Sequence, residues 1–237
     1  FANTGRKGSL EHFYGIEIDE WPARMAETAM CLMDRQCDLK LTERLGWAPD
    51  RLPIQAQAKI VIGNALSIDW SSVCEPSEHV VVAGNPPFLG DHTRSAEQKA
   101  ELQAAWGAAV ALSRMDYVTG WHAKTLHYFD KCNGVWAFVA TSSITQGDTV
   151  ARLFRPIFGA GWHIKFAHRT FMWTSEASGA AAVHCVIIGF SRDSNDRLRL
   201  FDYPSYGSPP RELAGVRFID ASLVDSGDVL VTKRSTP

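Results

Sequence analysis

The chain has 237 residues, long enough for one large domain or two small ones, and its 46% hydrophobic content supports a sizeable core. Its longest apolar run, AAAVHCVIIGF from Ala180, is too short and too interrupted to span a bilayer, no leader pattern opens the chain, and five scattered cysteines without a CxxC pair suggest neither a disulfide framework nor a zinc site. These features predict a cytoplasmic globular protein without a membrane partner, and a net charge of -2 gives no basic footprint, so any nucleic-acid contact must be local or supplied elsewhere.

Apolar, β-branched runs alternate with segments of helical period, the pattern of an α/β layered domain with a largely parallel sheet. The first strand is expected at Phe13–Ile18, followed by a helix that begins at Asp19 or Glu20. Trp21, Met25, Thr28, Ala29, Leu32 and Met33 mark one apolar face of that helix. The Pro-rich segment LGWAPDRLPIQAQ around Trp47 reads as a connector. Strands are then expected at Lys59–Gly63 and His79–Ala83, and helices at Ala96–Ala111 and Tyr117–Lys131. A strand at Val135–Thr141 and a helix at Asp148–Phe158 precede two further strands, His163–Arg169 and Ala181–Phe190. The loop between these two is too short for a parallel crossover, so they should pair antiparallel. After Phe190 the composition turns polar and proline-containing, which predicts a chain leading out of the sheet.

Three strand exits carry chemistry. In YGIEIDE, Glu17 ends a strand where nucleotide-binding α/β folds place a carboxylate that accepts from both ribose hydroxyls. The same residue, with Asp19 and Glu20, also suits a helix N-terminus as plain favourable charge. Ile18 could pack on an adenine face or join the core. In IVIGNALSIDW, Asn64 could bond an adenine edge and Ala65 could offer its backbone N–H, although an Asn-Ala pair at a strand exit is also an ordinary turn.

The third exit is GNPPFLG. Neither Pro86 nor Pro87 has an N–H, so the two fix a stiff, extended backbone whose carbonyls are not absorbed into a helix. Asn85 Oδ1 and the Pro86 carbonyl can together accept from one exocyclic amine while the Phe88 ring stacks on the planar group that bears it. The gain would be positioning and stabilisation of developing positive charge.

Asn-Pro-Pro-Phe after an apolar strand resembles the Asn/Asp-Pro-Pro-Tyr/Phe signature of amino-methyltransferases. These act on adenine N6 or cytosine N4 in DNA, or on protein glutamine. Together with MDYVTGW, AFVATSSITQG and FAHRTFMWTSEASGAAAVHCVIIGF in this order, it resembles the gamma-type N6-adenine DNA methyltransferases of the bifunctional type II restriction-modification enzymes, over nearly the whole chain. The resemblance implies a Rossmann-like, S-adenosylmethionine-dependent methyltransferase sheet, mostly parallel with an antiparallel terminal hairpin and helices on both faces. It implies duplex DNA as partner, with a fused or associated nuclease and a DNA-recognition domain.

By position, Glu17, Ile18, Asn64 and Ala65 would then bind S-adenosylmethionine, and Asn85, Pro86, Pro87 and Phe88 would form the target-amine site. Phe171, with Trp173 as competitor, would be the second wall of the base pocket. Ser175 and Glu176, in the same loop, receive no role. The family's Gly-rich cofactor loop belongs upstream of YGIEIDE, and Asn3, Gly5 and Gly8 do not substitute for it. Residues 1–190 are therefore expected to be a partial catalytic domain, and 191–237 a polar extension toward a recognition region. Methylation of protein glutamine or RNA, or a non-catalytic scaffold role, remain the alternatives. His122 and His127 are five apart without an HExxH carboxylate, so no metal is expected. Trp121, Tyr128 and Phe129 read as core.

Overall fold

The computed structural model describes residues 8–46, 57–108, 110, 112–173, 183–205 and 207–226. The chain divides into two compact units, Phe1–Glu75 and Pro76–Pro237.

In the first unit, β1 (Tyr14–Glu17) pairs in parallel with β2 (Lys59–Ile62), so that Glu17 lies opposite Ile62 at the carboxyl ends of both strands. A Cβ at Gly15 would stand 2.7 Å from Ile60 Cδ1, so a larger residue here would require the end of that side chain to shift. Helix α1 follows Asp19 and runs from Glu20 to Leu45, ending where Gly46 adopts a left-handed conformation with φ 79° and its N–H returns to the Thr42 carbonyl. The expected apolar face exists but is not buried. Trp21, Met25, Leu32 and Met33 are all more than half exposed, and Trp21, Met25, Thr28, Ala29 and Leu32 line an open groove. Only Ala23 and Asp38 are buried along this helix.

The second unit is built on a six-stranded mixed sheet. Its strands are β3 (Val81–Gly84), β4 (Val135–Thr141), β5 (His163–Trp173), β6 (Val183–Ser191), β7 (Arg199–Asp202) and β8 (Arg211–Glu212), in the order β3-β4-β6-β5-β7-β8. β3 and β4 run parallel, and the expected antiparallel hairpin is present as β5 and β6. β6 also pairs antiparallel with β4, so β4 and β5 point the same way on either side of it. The segment after Phe190 does not simply leave the sheet: β7 pairs in parallel with β5 and β8 pairs with β7. The signal was weak because these strands are four and two residues long and are set among charged residues.

Strand β4 shows the two-residue period directly. Trp136, Phe138 and Ala140 are buried, and their neighbours are only partly so. Trp136 stacks on Phe190 with ring centroids 4.1 Å apart, and the face is completed by α4 (Asp148–Gly159), which buries Val150, Leu153, Phe154 and Ile157. Helices α2 (Ala96–Trp106) and α3 (Thr119–Tyr128) precede β4. Ser95 caps α2 by accepting from the Gln98 N–H in a capping box. Both expected helices are shorter than the apolar pattern suggested, and part of the first expected span lies outside the described residues.

His122 of α3 is fully buried in edge contact with Trp136, Phe138 and Phe190, and neither ring nitrogen has a hydrogen-bond partner among the described residues. Burial holds its pKa down at about 3, so it is a neutral, space-filling ring at ordinary pH. Tyr128 and Phe129 are buried core, and Trp121 is half-buried edge-on to Tyr117. At the other end of β4, Arg192 donates to the Phe129 carbonyl at 3.0 Å and the Ala160 carbonyl at 3.0 Å, tying down the C-termini of α3 and α4. A cation is favoured at both places because unpaired carbonyls collect there. No helix among the described residues is long and apolar enough to cross a membrane.

Candidate functional site

In the first unit the parallel pairing of β1 and β2 brings Glu17 and Asn64 to neighbouring strand ends, and the Gly63 N–H donates to the Glu17 carbonyl at 2.8 Å. The Glu17 carboxylate turns back over the start of α1, where Oε1 accepts from the Ile18 N–H at 2.9 Å and the Asp19 N–H at 3.4 Å. Both bonds fall on one oxygen, and Oε2 has no partner among the described residues. The helix-start bonds therefore use one carboxylate oxygen and are compatible with a further acceptor role for the other. Ile18 is 62% exposed beside it, an apolar side chain held at a strand end rather than in the core.

Asn64 Oδ1 accepts from the Leu66 N–H at 2.9 Å, closing an Asx-type turn, and the Ala65 carbonyl accepts from Trp70 Nε1 at 2.8 Å. The turn reading of this pair is thus real. It orients Asn64 through its side-chain carbonyl oxygen.

In the second unit, β3 ends at Gly84, opposite Phe138 of β4, and the next residues leave the ladder. A Cβ on Gly84 would meet the Phe138 ring at 3.6 Å, ordinary contact, so the exit is set by the prolines rather than by crowding at the glycine. Asn85 and Pro87 are exposed, Pro86 is buried and Phe88 is half-buried. The stretch thus presents its amide side chain outward while anchoring one proline.

Support for the stretch comes from a segment that lies 27 residues further along the chain. Asp116, nearly buried, accepts from the Leu89 N–H at 3.1 Å, and the Tyr117 N–H donates to the Leu89 carbonyl at 3.0 Å. Further on, the Arg94 guanidinium donates to Asp91 at 2.6 Å with the arginine side chain only 2% exposed. Partial desolvation works against the Asp91 charge, but a backbone hydrogen bond from Arg114 and the Arg94 cation outweigh it and hold the carboxyl below its usual range.

Phe171 enters the same end of this sheet. Cys185 of β6 pairs with Thr141 on one side and Phe171 on the other, which sets Phe171 level with the carboxyl end of β4. Three inter-strand steps of about 4.8 Å separate β3 from β5, or roughly 14 Å. Phe171 is half-buried and leans on Tyr203 at 5.1 Å between centroids, and Tyr203 shares a 2.8 Å hydrogen bond with His168 Nδ1. Trp173, two residues on, is 49% exposed and 6.4 Å from Phe171.

Burial pushes the Tyr203 hydroxyl up, and burial together with Arg199 pushes His168 down, so this pair stays neutral around pH 7. Tyr203 and Asp116 were not singled out from sequence. Tyr203 follows a strand too short to recognise, and Asp116 lies in MDYVTGW without a spacing that announces its partners. Ser175, Glu176, Asn3 and Gly5 lie outside the described residues. A cavity of about 810 Å3 bordered by His163, Asp196 and Phe218 belongs to the opposite end of β5, roughly 25 Å of strand from Phe171, and is separate from these groups.

Exposed polar groups at the carboxyl ends of strands, on stiff turns, define the ligand-binding edge of an open α/β protein. The family model of the MmeI DNA-methyltransferase domain matches residues 3–202, and the chain belongs to that family. It is 32% identical to DNA methyltransferase A of Bacillus subtilis (strain 168) over 97% of its length, covering 26% of that protein. It is 39% identical to the type IIL restriction-modification enzyme MmeI, solved in complex with DNA, with a TM-score of 0.86 over 97% of this chain and 31% of that one. The chain therefore spans between a quarter and a third of the length of these two relatives.

Proposed function

We propose that the chain is the catalytic portion of a longer DNA methyltransferase that methylates N6 of an adenine flipped out of duplex DNA, within restriction-modification. The observation that carries this reading is the sheet register, which sets the Asn85–Phe88 exit and Phe171 at one end of one sheet. An exocyclic amine is inaccessible inside a paired stack, so the base must leave the duplex to meet such a site. Asn85 Oδ1 and the Pro86 carbonyl accept the two amine hydrogens, and Phe88 and Phe171 flank the ring. The roughly 14 Å between their strands accommodates two phenyl side chains and an aromatic base between them.

The residues of the first unit fit S-adenosylmethionine. Glu17 has an oxygen to spare for ribose hydroxyls, Ile18 offers an exposed apolar side chain to an adenine face, and Asn64 and Ala65 lie at the neighbouring strand end. When bound, that cofactor would supply an electrophilic methyl group, whose bond to sulfur breaks as the amine nitrogen takes it up, the sulfonium leaving as a neutral thioether. Asn85 and Pro86 hold the amine so that its lone pair is directed, and their oxygens stabilise the positive charge that develops on nitrogen. No general base of shifted pKa is required, because the proton becomes acidic once the nitrogen is cationic. The same family membership supports a recognition region and a nuclease elsewhere in the full-length protein.

Asn85→Ala in the full-length enzyme tests the assignment. Methyl transfer to duplex DNA should fall by about 10³-fold or more, in the range seen when a preorganised polar contact is removed from a transition state. Cofactor affinity, measured by calorimetry, should change less than about threefold. Retained transfer would remove Asn85 from the reaction.

A further inference from the structure

We propose that Asp116 is a positioning residue for methyl transfer, holding the Asn85–Phe88 platform in register with the end of β4. The inference rests on the methyltransferase reading above and goes beyond it, because Asp116 touches neither the proposed amine nor the cofactor residues.

The physical need arises from the two prolines. A stretch with Pro86 and Pro87 lacks two of the four N–H groups by which a strand exit could be fastened to its surroundings. It is pinned on one side by the β3 ladder, where Gly84 lies opposite Phe138. On the other side the first fastening among the described residues is at Leu89, and both backbone polar groups of Leu89 are engaged by the Asp116-Tyr117 pair. Asp116 Oδ1 accepts from the Leu89 N–H at 3.1 Å, and the Leu89 carbonyl accepts from the Tyr117 N–H at 3.0 Å.

Asp116 is itself fixed in three directions. Oδ1 also accepts from the Val118 N–H at 3.1 Å, and Oδ2 accepts from Thr141 Oγ1 at 3.3 Å. Its carbonyl accepts from the Thr119 N–H at 3.0 Å and from Thr119 Oγ1 at 2.6 Å, at the start of α3. One carboxylate thus joins Leu89, just past the platform, Val118 at the N-cap of α3 and Thr141, the last residue of β4. Asp116 is only 8% exposed, so water does not readily replace these bonds. Phe88 and the Pro86 carbonyl lie between the two fastened ends. Their placement to within a fraction of an ångström depends on both, and an error near 1 Å at a reacting group costs on the order of 10²-fold in rate.

The test uses the full-length enzyme with Asp116→Leu, which removes both acceptors at similar volume. Asp116→Asn keeps Oδ1 for the two N–H donors and can turn its amide toward Thr141. Asn85→Ala runs in parallel. Asp116→Leu should lower the single-turnover transfer rate about 100-fold at saturating DNA and cofactor, with cofactor Kd unchanged. The fluorescence of 2-aminopurine at the target position should show a base that is extruded but differently stacked. Asp116→Asn should restore the rate to within about fivefold of wild type.

An Asp116→Leu enzyme as fast as wild type would overturn the inference. So would a rate loss that merely parallels equal losses in cofactor affinity and melting temperature, or an Asp116→Asn variant as slow as the leucine one. If the leucine variant does not fold, Asp116→Ser, with one acceptor of shorter reach, is judged by the same criteria. An active Asn85→Ala enzyme would refute the functional reading itself. An inactive Asn85→Ala enzyme beside a fully active Asp116→Leu one would refute only the positioning role.

Discussion

Helices α1 and α4 both carry apolar residues three and four apart, but polar and apolar faces are strongly segregated in α4 and only weakly in α1, and their fates differ. The 26-residue α1 buries only Ala23 and Asp38 and leaves Trp21, Met25, Leu32 and Met33 exposed, whereas the 12-residue α4 buries Val150, Leu153, Phe154 and Ile157 against the aromatic face of β4 and β6. Periodicity reports that a face is apolar, and a packed neighbour decides whether it contributes stability. The candidate site is divided in the same way. Glu17 and Asn64 are held by bonds to their immediate chain neighbours, while the Asn85–Phe88 exit is held from a segment distant in sequence.

The largest expected contrast is in stability. Phe154→Ala should cost about 3–5 kcal/mol in urea unfolding of the full-length protein's methyltransferase region, because it empties a fully buried site. Leu32→Ala, at a side chain 62% exposed, should stay within about 0.5 kcal/mol. A large loss at Leu32 would mean that the face is covered in the complete protein, and the contrast between the helices would then disappear.

A second contrast separates affinity from rate. Glu17→Ala should weaken S-adenosylmethionine binding roughly 10- to 100-fold, as loss of a charge-assisted acceptor does, while leaving transfer at saturating cofactor within a few-fold. Asn85→Ala should do the reverse. If Glu17→Ala leaves the Kd untouched, its carboxylate serves only the helix start.

The smallest effect is a pH dependence confined to the second unit's core. His122 has a folded pKa near 3 against an ordinary 6.5, lowered by burial, so below pH 6.5 the unfolded chain takes up a proton that the folded one refuses. Its contribution is constant above pH 6.5 and is lost as pH falls toward 3, at about 1.4 kcal/mol per pH unit. His122→Phe has no such titration. Whatever constant packing offset it introduces, its stability relative to wild type should improve by about 2 kcal/mol between pH 7 and pH 5. Parallel stability curves for the two proteins would show that His122 finds a proton-accepting partner.

Much of this protein was decided by residues close together in the chain. The alternation in Val135–Thr141, the Ser95–Gln98 capping box, Gly46 after α1 and the Pro86-Pro87 exit each follow from interactions within a few residues, and the strand at Val135–Thr141 and the helix start at Ala96 match the sequence expectation. The candidate residues at strand ends were legible for the same reason, since a strand that stops on Asn or Glu announces a polar edge.

What the tertiary structure alone decided is pairing between segments far apart. The register of β6 against both β4 and β5 sets Phe171 level with Thr141, the short β7 returns to the sheet and brings Tyr203 to Phe171, and Asp116 reaches Leu89 and Thr141 at once. Local periodicity carries no information about which distant strand or donor a group will meet, because that choice is set by burying the joint core and satisfying every backbone group within it.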